Sequence, residues 1–143
     1  MDELLQLLEA RNIAAPAPIE QRWSASSSAP MSPAYSAHSE DVHTWVGIIM
    51  YLPTDDSNVR AAITHAFAEY SRMCESELMG KYKAKWHWAK LEIGDDSQRL
   101  AWVKAHLRDC YDVKRFNMVR HALDPENNLG NRWLNSVLPL TRG

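Results

Sequence analysis

Glu20 and Arg22 are residues whose types and spacing could do chemistry, and they lie one residue apart. Prolines before them disfavour a helix, so residues 17–23 are predicted to be extended, and alternate side chains of an extended segment share a face. Glu20 and Arg22 would then point to one side, with Gln21 and Trp23 on the other. A carboxylate beside a guanidinium can bind a polyhydroxylated ligand and leave a positive charge for an anion. The same spacing also fits an ordinary surface ion pair, and these residues alone do not decide between the two.

His87 and Lys90 are the titratable residues of a second unusual stretch, an aromatic and basic run over residues 81–91 that alternates like a strand. A lysine supplies positive charge beside an electron-rich cofactor or a developing oxyanion, and a histidine can relay a proton near neutral pH. Residues three apart face opposite ways on a strand but can converge on a bend at its end, and the sequence leaves both arrangements open. The alternative is a row of aromatic residues packed on a sheet with solvated lysines at its edge.

Three segments are predicted to be strands, and they include both pairs of candidate residues. The segment from His43 to Leu52 is rich in strand-forming residues and is followed by a Pro-Thr-Asp-Asp turn, so it is predicted to be a central strand. With residues 17–23 and 81–91 it would form a sheet of about three strands. Residues 24–42 are rich in serine and proline and are predicted to be a loop, either one that covers a ligand or a low-complexity linker.

Helices are predicted where apolar residues recur at helical spacing. They are a short amphipathic helix after Met1, a long one from Asp55 or Asp56 to about Glu77, one opening at residues 94–97 and ending near Tyr111, one over Val113 to Leu123, and a last turn at residues 133–137. Lys114, Arg115 and Arg120 are predicted to form a solvated face of the fourth helix.

The composition restricts the classes of function. With 143 residues, 45% of them hydrophobic, the chain is long enough to bury the core of one domain. The formal net charge of -2 gives no chain-wide basic field, so nucleic acid is not expected as a partner. Cys74 and Cys110 lack metal-site spacing and are expected to be buried or half-buried thiols. No metal site, glycine-rich phosphate loop or membrane-spanning run is expected.

Five segments of the chain resemble, in order and spacing, one family of flavoenzymes. They are Pro16 to Trp23, Ser32 to Tyr35, Trp45 to Pro53, His87 to Lys90, and Leu123 to Pro125. The chain resembles the C-terminal part of the aldonolactone oxidoreductases of the vanillyl-alcohol oxidase type, in particular the plant and algal dehydrogenases that make ascorbate. His87, Trp88 and Lys90 are similar to the His-Trp-x-Lys motif of that family.

The resemblance implies an α+β fold, the C-terminal cap and substrate region of such an enzyme, with an antiparallel sheet of few strands and flanking helices. Residues 1–143 would form one aldonolactone oxidase-type domain. Family members bind FAD mainly through an N-terminal domain, which is expected to be missing from this chain. The chain alone is therefore expected to be inactive and to hold no stoichiometric FAD. It would be an incomplete gene product, a piece of a split enzyme or a remnant retained for binding.

The resemblance also implies roles for the four candidate residues. Glu20 and Arg22 would bind L-galactono-1,4-lactone and take part in its oxidation to L-ascorbate, Arg22 by stabilising negative charge and Glu20 by bonding ring hydroxyls. Lys90 would be catalytic and contact the cofactor as a source of positive charge, with His87 beside it at the cofactor. Cytochrome c would reoxidise the flavin, and an FAD-binding half would come from another chain.

Location and the alternative function also follow from the resemblance. The plant members are mitochondrial, at the inner membrane on the intermembrane-space side, and the same location is implied here, although the acidic residues after Met1 do not fit a targeting presequence. Those members are also associated with the assembly of respiratory complex I, so a non-catalytic interaction or assembly protein is the alternative. The retained Glu20, Arg22, His87 and Lys90 favour the dehydrogenase, because a scaffold has no need of them.

Overall fold

The computed structural model describes residues 1–15, 18–91, 93 and 96–140, which form an α+β structure. The chain divides into two compact units. The first comprises Met1–Ala25 and Val42–Ala84, and the second comprises Ser26–Asp41 and Lys85–Gly143. Within the described residues no helix is both long and apolar enough to cross a membrane.

The first unit is built around a long helix, α2 (Ser57–Met73), that packs against the short N-terminal helix α1 (Asp2–Ala10). The side chain of Asp56 caps α2 by accepting hydrogen bonds from the next backbone N–H groups, as the sequence predicts. The helical path continues through a π-helical segment, Cys74–Met79, into α3 (Gly80–Tyr82). The buried core of this unit consists of Leu4, Leu8, Tyr70, Met73 and Cys74.

The sheet of the first unit has two antiparallel strands in the described part of the chain, β1 (Glu20–Ala25) and β2 (Val42–Gly47). The predicted central strand from His43 to Leu52 is therefore too long, and the prediction of about three strands is wrong for the described residues. Pairing ends at Gly47 because its partner is Glu20, the first residue of β1, which lies two residues after a proline. Beyond Gly47, Ile48 packs against the helical core. The antiparallel sheet of few strands is confirmed.

The second unit is helical and contains α4 (Ser97–Cys110), α5 (Val113–Leu123) and α6 (Arg132–Val137). Each helix begins after a residue whose side chain accepts a backbone hydrogen bond: Asp96, Asp112 and Asn131. The buried core consists of Leu91, Val103, Leu107, Tyr111, Val137 and Leu138. The predicted bounds of α5 are confirmed. The residues 94 and 95 predicted to open α4 lie outside the described residues.

The connection between the two strands is shorter than predicted, residues 26–41, because Ser24, Ala25 and Val42 belong to the strands. It is organised by short-range bonds in which serine hydroxyls accept from backbone N–H groups two residues later, at Ser27, Ser32 and Ser36. Ala34 is buried. This segment is thus an ordered part of the second unit, which does not fit the low-complexity linker.

Candidate functional site

Glu20 and Arg22 lie on one face of β1, with a distance of 3.8 Å between Arg22 Nη1 and Glu20 Oε1. The Arg22 side chain is 68% exposed and that of Glu20 is 62% exposed. A pair so exposed and so loosely joined contributes little to stability. Its remaining donor and acceptor groups are therefore accessible to a ligand that carries both hydroxyls and partial negative charge.

The opposite strand completes this face with an aromatic residue and a glycine. In the antiparallel register Arg22 lies opposite Trp45, and Glu20 lies opposite Gly47. A Cβ atom on Gly47 would lie 3.4 Å from Glu20 Cβ and 3.5 Å from Glu20 Oε2, so the glycine leaves the carboxylate its space. The face also includes Ser24, whose Oγ accepts a hydrogen bond of 2.8 Å from Trp45 Nε1. We call this set of side chains the β1–β2 face.

His43 is the remaining residue of the β1–β2 face, opposite Ser24. Its Nδ1 atom is buried and has no hydrogen-bond partner among the described residues. Sequence reasoning missed His43, Ser24 and Trp45 as site residues because it treated them as strand or loop formers. Alternation along each strand could have indicated which of its residues share a face. To pair Arg22 with Trp45, however, one must also know the register of β1 against β2, which are joined by a 16-residue connection.

His87 and Lys90 do not lie on a strand, so the prediction of a strand over residues 81–91 is wrong. α3 ends at Tyr82, Lys83 takes a left-handed conformation with φ of 49°, and Trp88–Lys90 form a 3₁₀ turn. The His87 Nδ1 atom accepts a hydrogen bond from Ala89 N, and Lys90 N donates a hydrogen bond of 2.8 Å to His87 O. The two residues therefore stand at the ends of one turn, which is the bend that the sequence left open.

The turn is held in the second unit by the indole rings beside it. Trp88 Nε1 donates a hydrogen bond of 2.9 Å to Met31 O, and Trp133 Nε1 donates one of 3.1 Å to Leu91 O. The two indole rings lie 6.2 Å apart. Lys90 itself is exposed. The Trp-x-Lys sequence thus fixes the turn with its aromatic residue while the lysine ammonium reaches solvent.

The described residues do not form a cradle for FAD around either pair. Glu20, Arg22 and Lys90 lie on open surface. Two cavities, of about 390 Å³ in the second unit and about 590 Å³ in the first, are lined by none of the four candidate residues. A dinucleotide also needs clustered backbone N–H groups for its phosphates. Nor do the described residues include three or more His, Cys, Asp or Glu grouped to hold a metal ion.

The sequence matches known proteins over nearly its whole length. The family model described as D-arabinono-1,4-lactone oxidase matches residues 1–137. The chain is 47% identical over 141 residues to L-galactono-1,4-lactone dehydrogenase 1, mitochondrial, of Oryza sativa subsp. japonica, covering 99% of this chain and 24% of that protein. It is 42% identical over 141 residues to the Arabidopsis thaliana L-galactono-1,4-lactone dehydrogenase, mitochondrial, covering 99% of this chain and 23% of that protein.

The chain therefore spans about a quarter of the length of the curated relatives it matches. The resemblance inferred from the five sequence segments is confirmed at the level of the family, and the α+β structure with two antiparallel strands is consistent with it. This chain belongs to the D-arabinono-1,4-lactone oxidase family.

Proposed function

We propose that residues 1–143 are the C-terminal, substrate-side part of an FAD-dependent dehydrogenase that oxidises L-galactono-1,4-lactone to L-ascorbate. The observation that carries this proposal is the exposed Glu20–Arg22 pair on the β1–β2 face of a chain 47% identical to a protein named for that activity. In this proposal FAD is held mainly by a part of the enzyme outside these residues, as the resemblance implies.

Glu20 and Arg22 are the substrate-binding and catalytic groups of this proposal. The planar guanidinium of Arg22 stays protonated, so it can bind a lactone oxygen and stabilise the negative charge that develops there. The carboxylate of Glu20, 3.8 Å away, accepts hydrogen bonds from ring hydroxyls. Lys90 adds positive charge towards the cofactor. His87 shapes the same turn, and the lone pair of its Nδ1 atom already accepts a hydrogen bond from Ala89 N.

The relatives' names also suggest where such an enzyme works. Both the rice and the Arabidopsis proteins are named mitochondrial, and we extend that compartment, at the inner membrane on the intermembrane-space side, to this chain. Cytochrome c is the proposed electron acceptor.

A chimera tests the proposed function directly. The chain replaces the matching quarter of the rice dehydrogenase, and turnover of L-galactono-1,4-lactone is followed by cytochrome c reduction. An active chimera supports the proposal. Arg22→Lys keeps the charge but loses the planar fork, so kcat/KM should fall by about thirty- to a thousandfold, equivalent to about 2 to 4 kcal/mol.

Gln21→Ala is the matched control, because Gln21 is the neighbouring residue on the opposite face of β1. It should leave kcat/KM within about twofold of the unmodified chimera. Equal and mild effects of the two substitutions would mean that Arg22 is only a surface ion-pair partner. The unfused chain, passed through gel filtration with FAD, should retain no stoichiometric flavin absorbance, and a yellow protein peak would contradict the assignment of the flavin to another part of the enzyme.

A further inference from the structure

We infer that the second unit has a ligand site of its own, which binds a free monocarboxylate with an apolar chain of medium length. The site is the cavity of about 390 Å³ along α5, and it shares no residue with the β1–β2 face. This volume is typical of pockets for small molecules. A protein partner would cover about 20 residues or more, whereas nine described residues line the cavity, so a small ligand fits better.

One face of α5 forms the first wall of the cavity. Lys114, Met118 and His121 line it at positions i, i+4 and i+7 of the helix, which share a face. Asn117 lines it as well, and its Nδ2 atom donates a hydrogen bond of 3.0 Å to Pro139 O. Pro139 follows α6 and lies in the opposite wall. Because this bond joins the two walls, the cavity is formed before a ligand binds.

The apolar part of the lining suits a hydrocarbon chain. It consists of Val113, Met118, Val137, Pro139 and Leu140. Val137 is buried and belongs to the core of the second unit, so the floor of the cavity is fixed by packing. Met118 is 66% exposed, and its unbranched side chain can adapt to the shape of a ligand. A bound hydrocarbon chain would remove this exposed apolar area from water.

The charged part of the lining selects an anion. Arg108 at the end of α4 and Lys114 at the start of α5 line the cavity, and no acidic residue does. In the described part of the chain neither residue has a carboxylate within 4.0 Å. Their N–H groups can therefore donate to a ligand carboxylate. Two cations beside apolar walls match an anion that carries a hydrocarbon chain better than an inorganic anion or a neutral hydrocarbon.

Methyl NMR of the full 143-residue chain with octanoate tests the inference. The methionine methyl groups are labelled with ¹³C, and the Met118 resonance is followed during titrations near pH 7. We expect a saturable shift with octanoate. 1-Octanol, which lacks the charge, and butanoate, which lacks four methylene groups, should each bind at least about tenfold more weakly. Lys114→Gln and Arg108→Gln should each weaken octanoate binding about tenfold, because each removes a charge-assisted hydrogen bond.

Arg115→Gln is the matched control, since Arg115 is an exposed basic residue next to Lys114 that does not line the cavity. It should leave the affinity for octanoate unchanged. The inference is overturned if octanoate gives no saturable shift, if 1-octanol or butanoate binds as tightly, or if Arg115→Gln weakens binding as much as Lys114→Gln.

Two further results would assign the cavity to another occupant and overturn the inference. A Met118 shift that depends on protein concentration before octanoate is added would mean that a second copy of the chain covers the cavity. Loss of octanoate binding in the chimera, measured by titration calorimetry, would mean that the rest of the enzyme covers it. The kinetics of Arg22→Lys judge the proposed function separately, since they do not depend on this cavity.

Discussion

Two arginines, one in each unit, have opposite surroundings. Arg120 of α5 is only 9% exposed, and its guanidinium donates to Leu138 O at 3.0 Å, Asn135 Oδ1 at 2.6 Å and Asn127 Oδ1 at 2.5 Å. Arg22 of β1 is 68% exposed, and within the described part of the chain its ion-pair partner is one carboxylate, 3.8 Å away. Arg120 uses its donors to join the loop after α5 to the end of α6.

The surroundings of an arginine decide whether its guanidinium can bind a ligand. A buried guanidinium whose donors are satisfied by fixed oxygens has little left to offer and stabilises the fold. An exposed guanidinium with one loose partner contributes little to the fold and keeps donors for a substrate. Residue type alone does not separate these cases, but measurements of stability do.

The largest expected effect is on stability at Arg120. Arg120→Leu removes the guanidinium donor from three oxygen atoms, of which Asn135 Oδ1 keeps Asn127 Nδ2 as a second donor, and should lower the free energy of unfolding by about 3 kcal/mol or more. Arg115→Leu, at an exposed position of the same helix, should change it by no more than about 0.5 kcal/mol. Urea titration followed by tryptophan fluorescence suits this test, because four of the six tryptophans lie in the second unit. Similar effects of the two substitutions would contradict a structural role for Arg120.

The next effect concerns Asp124, which ends α5 beside the Arg120 network. Its buried carboxylate accepts hydrogen bonds of 2.7 Å from Asn128 N and 2.8 Å from Leu129 N. Asp124→Ala leaves both backbone donors unpaired and should lower the free energy of unfolding by about 2 kcal/mol in the same titration. Glu126→Ala, two residues away and exposed, is the control. An equal loss in the two variants would show that the turn does not depend on the carboxylate.

The third effect is a dependence of the first unit's stability on pH. Burial raises the pKa of the Cys74 thiol from 9.0 to about 11, and burial raises the pKa of the Tyr70 hydroxyl to about 12. The unfolded chain therefore loses these protons at lower pH than the folded chain, so stability that is present below pH 9 falls as pH rises through 9 to 11. The loss attributable to Cys74 should be at most about 2 kcal/mol.

Cys74→Ala should flatten this alkaline decline in the first unit. Urea titrations at several pH values give the slope of the free energy of unfolding against pH. They are monitored through Trp23 and Trp45 after the other four tryptophans are replaced by phenylalanine. Cys110→Ala is the matched control, since Cys110 is only partly buried and belongs to the second unit. An unchanged slope in Cys74→Ala would contradict the assigned cause.

Local signals made the helix starts predictable from the sequence. The carboxylates of Asp56, Asp96 and Asp112 act on N–H groups two or three residues away, so the sequence that forms each cap also contains its partners. The same locality explains why Val113–Leu123 was predicted with the observed bounds. The face shared by Glu20 and Arg22 followed from alternation within one strand.

Distant partners explain what could not be predicted. The prediction that Arg120 lies on a solvated face is wrong. The oxygen atoms that accept its hydrogen bonds belong to residues 7 to 18 positions further along the chain, so the local sequence does not show them. The run from Lys81 to Leu91 alternates like a strand, yet no described strand pairs with it and His87 caps a turn instead. Trp45 could be placed opposite Arg22 only once the register of β1 and β2 was known.

The smallest expected effect is on stability at Arg22, and it tests the other half of the comparison. Arg22→Ala removes an exposed side chain with one partner at 3.8 Å, so the free energy of unfolding should change by no more than about 0.5 kcal/mol. Glu20→Ala and the double variant should give similarly small values, with a coupling energy close to zero that does not change with added salt. Urea titration monitored through Trp23 and Trp45, with the other tryptophans replaced, reports on this unit. A coupling of 1 kcal/mol or more would mean that the pair stabilises the sheet and would remove the argument that its donors are kept for the lactone.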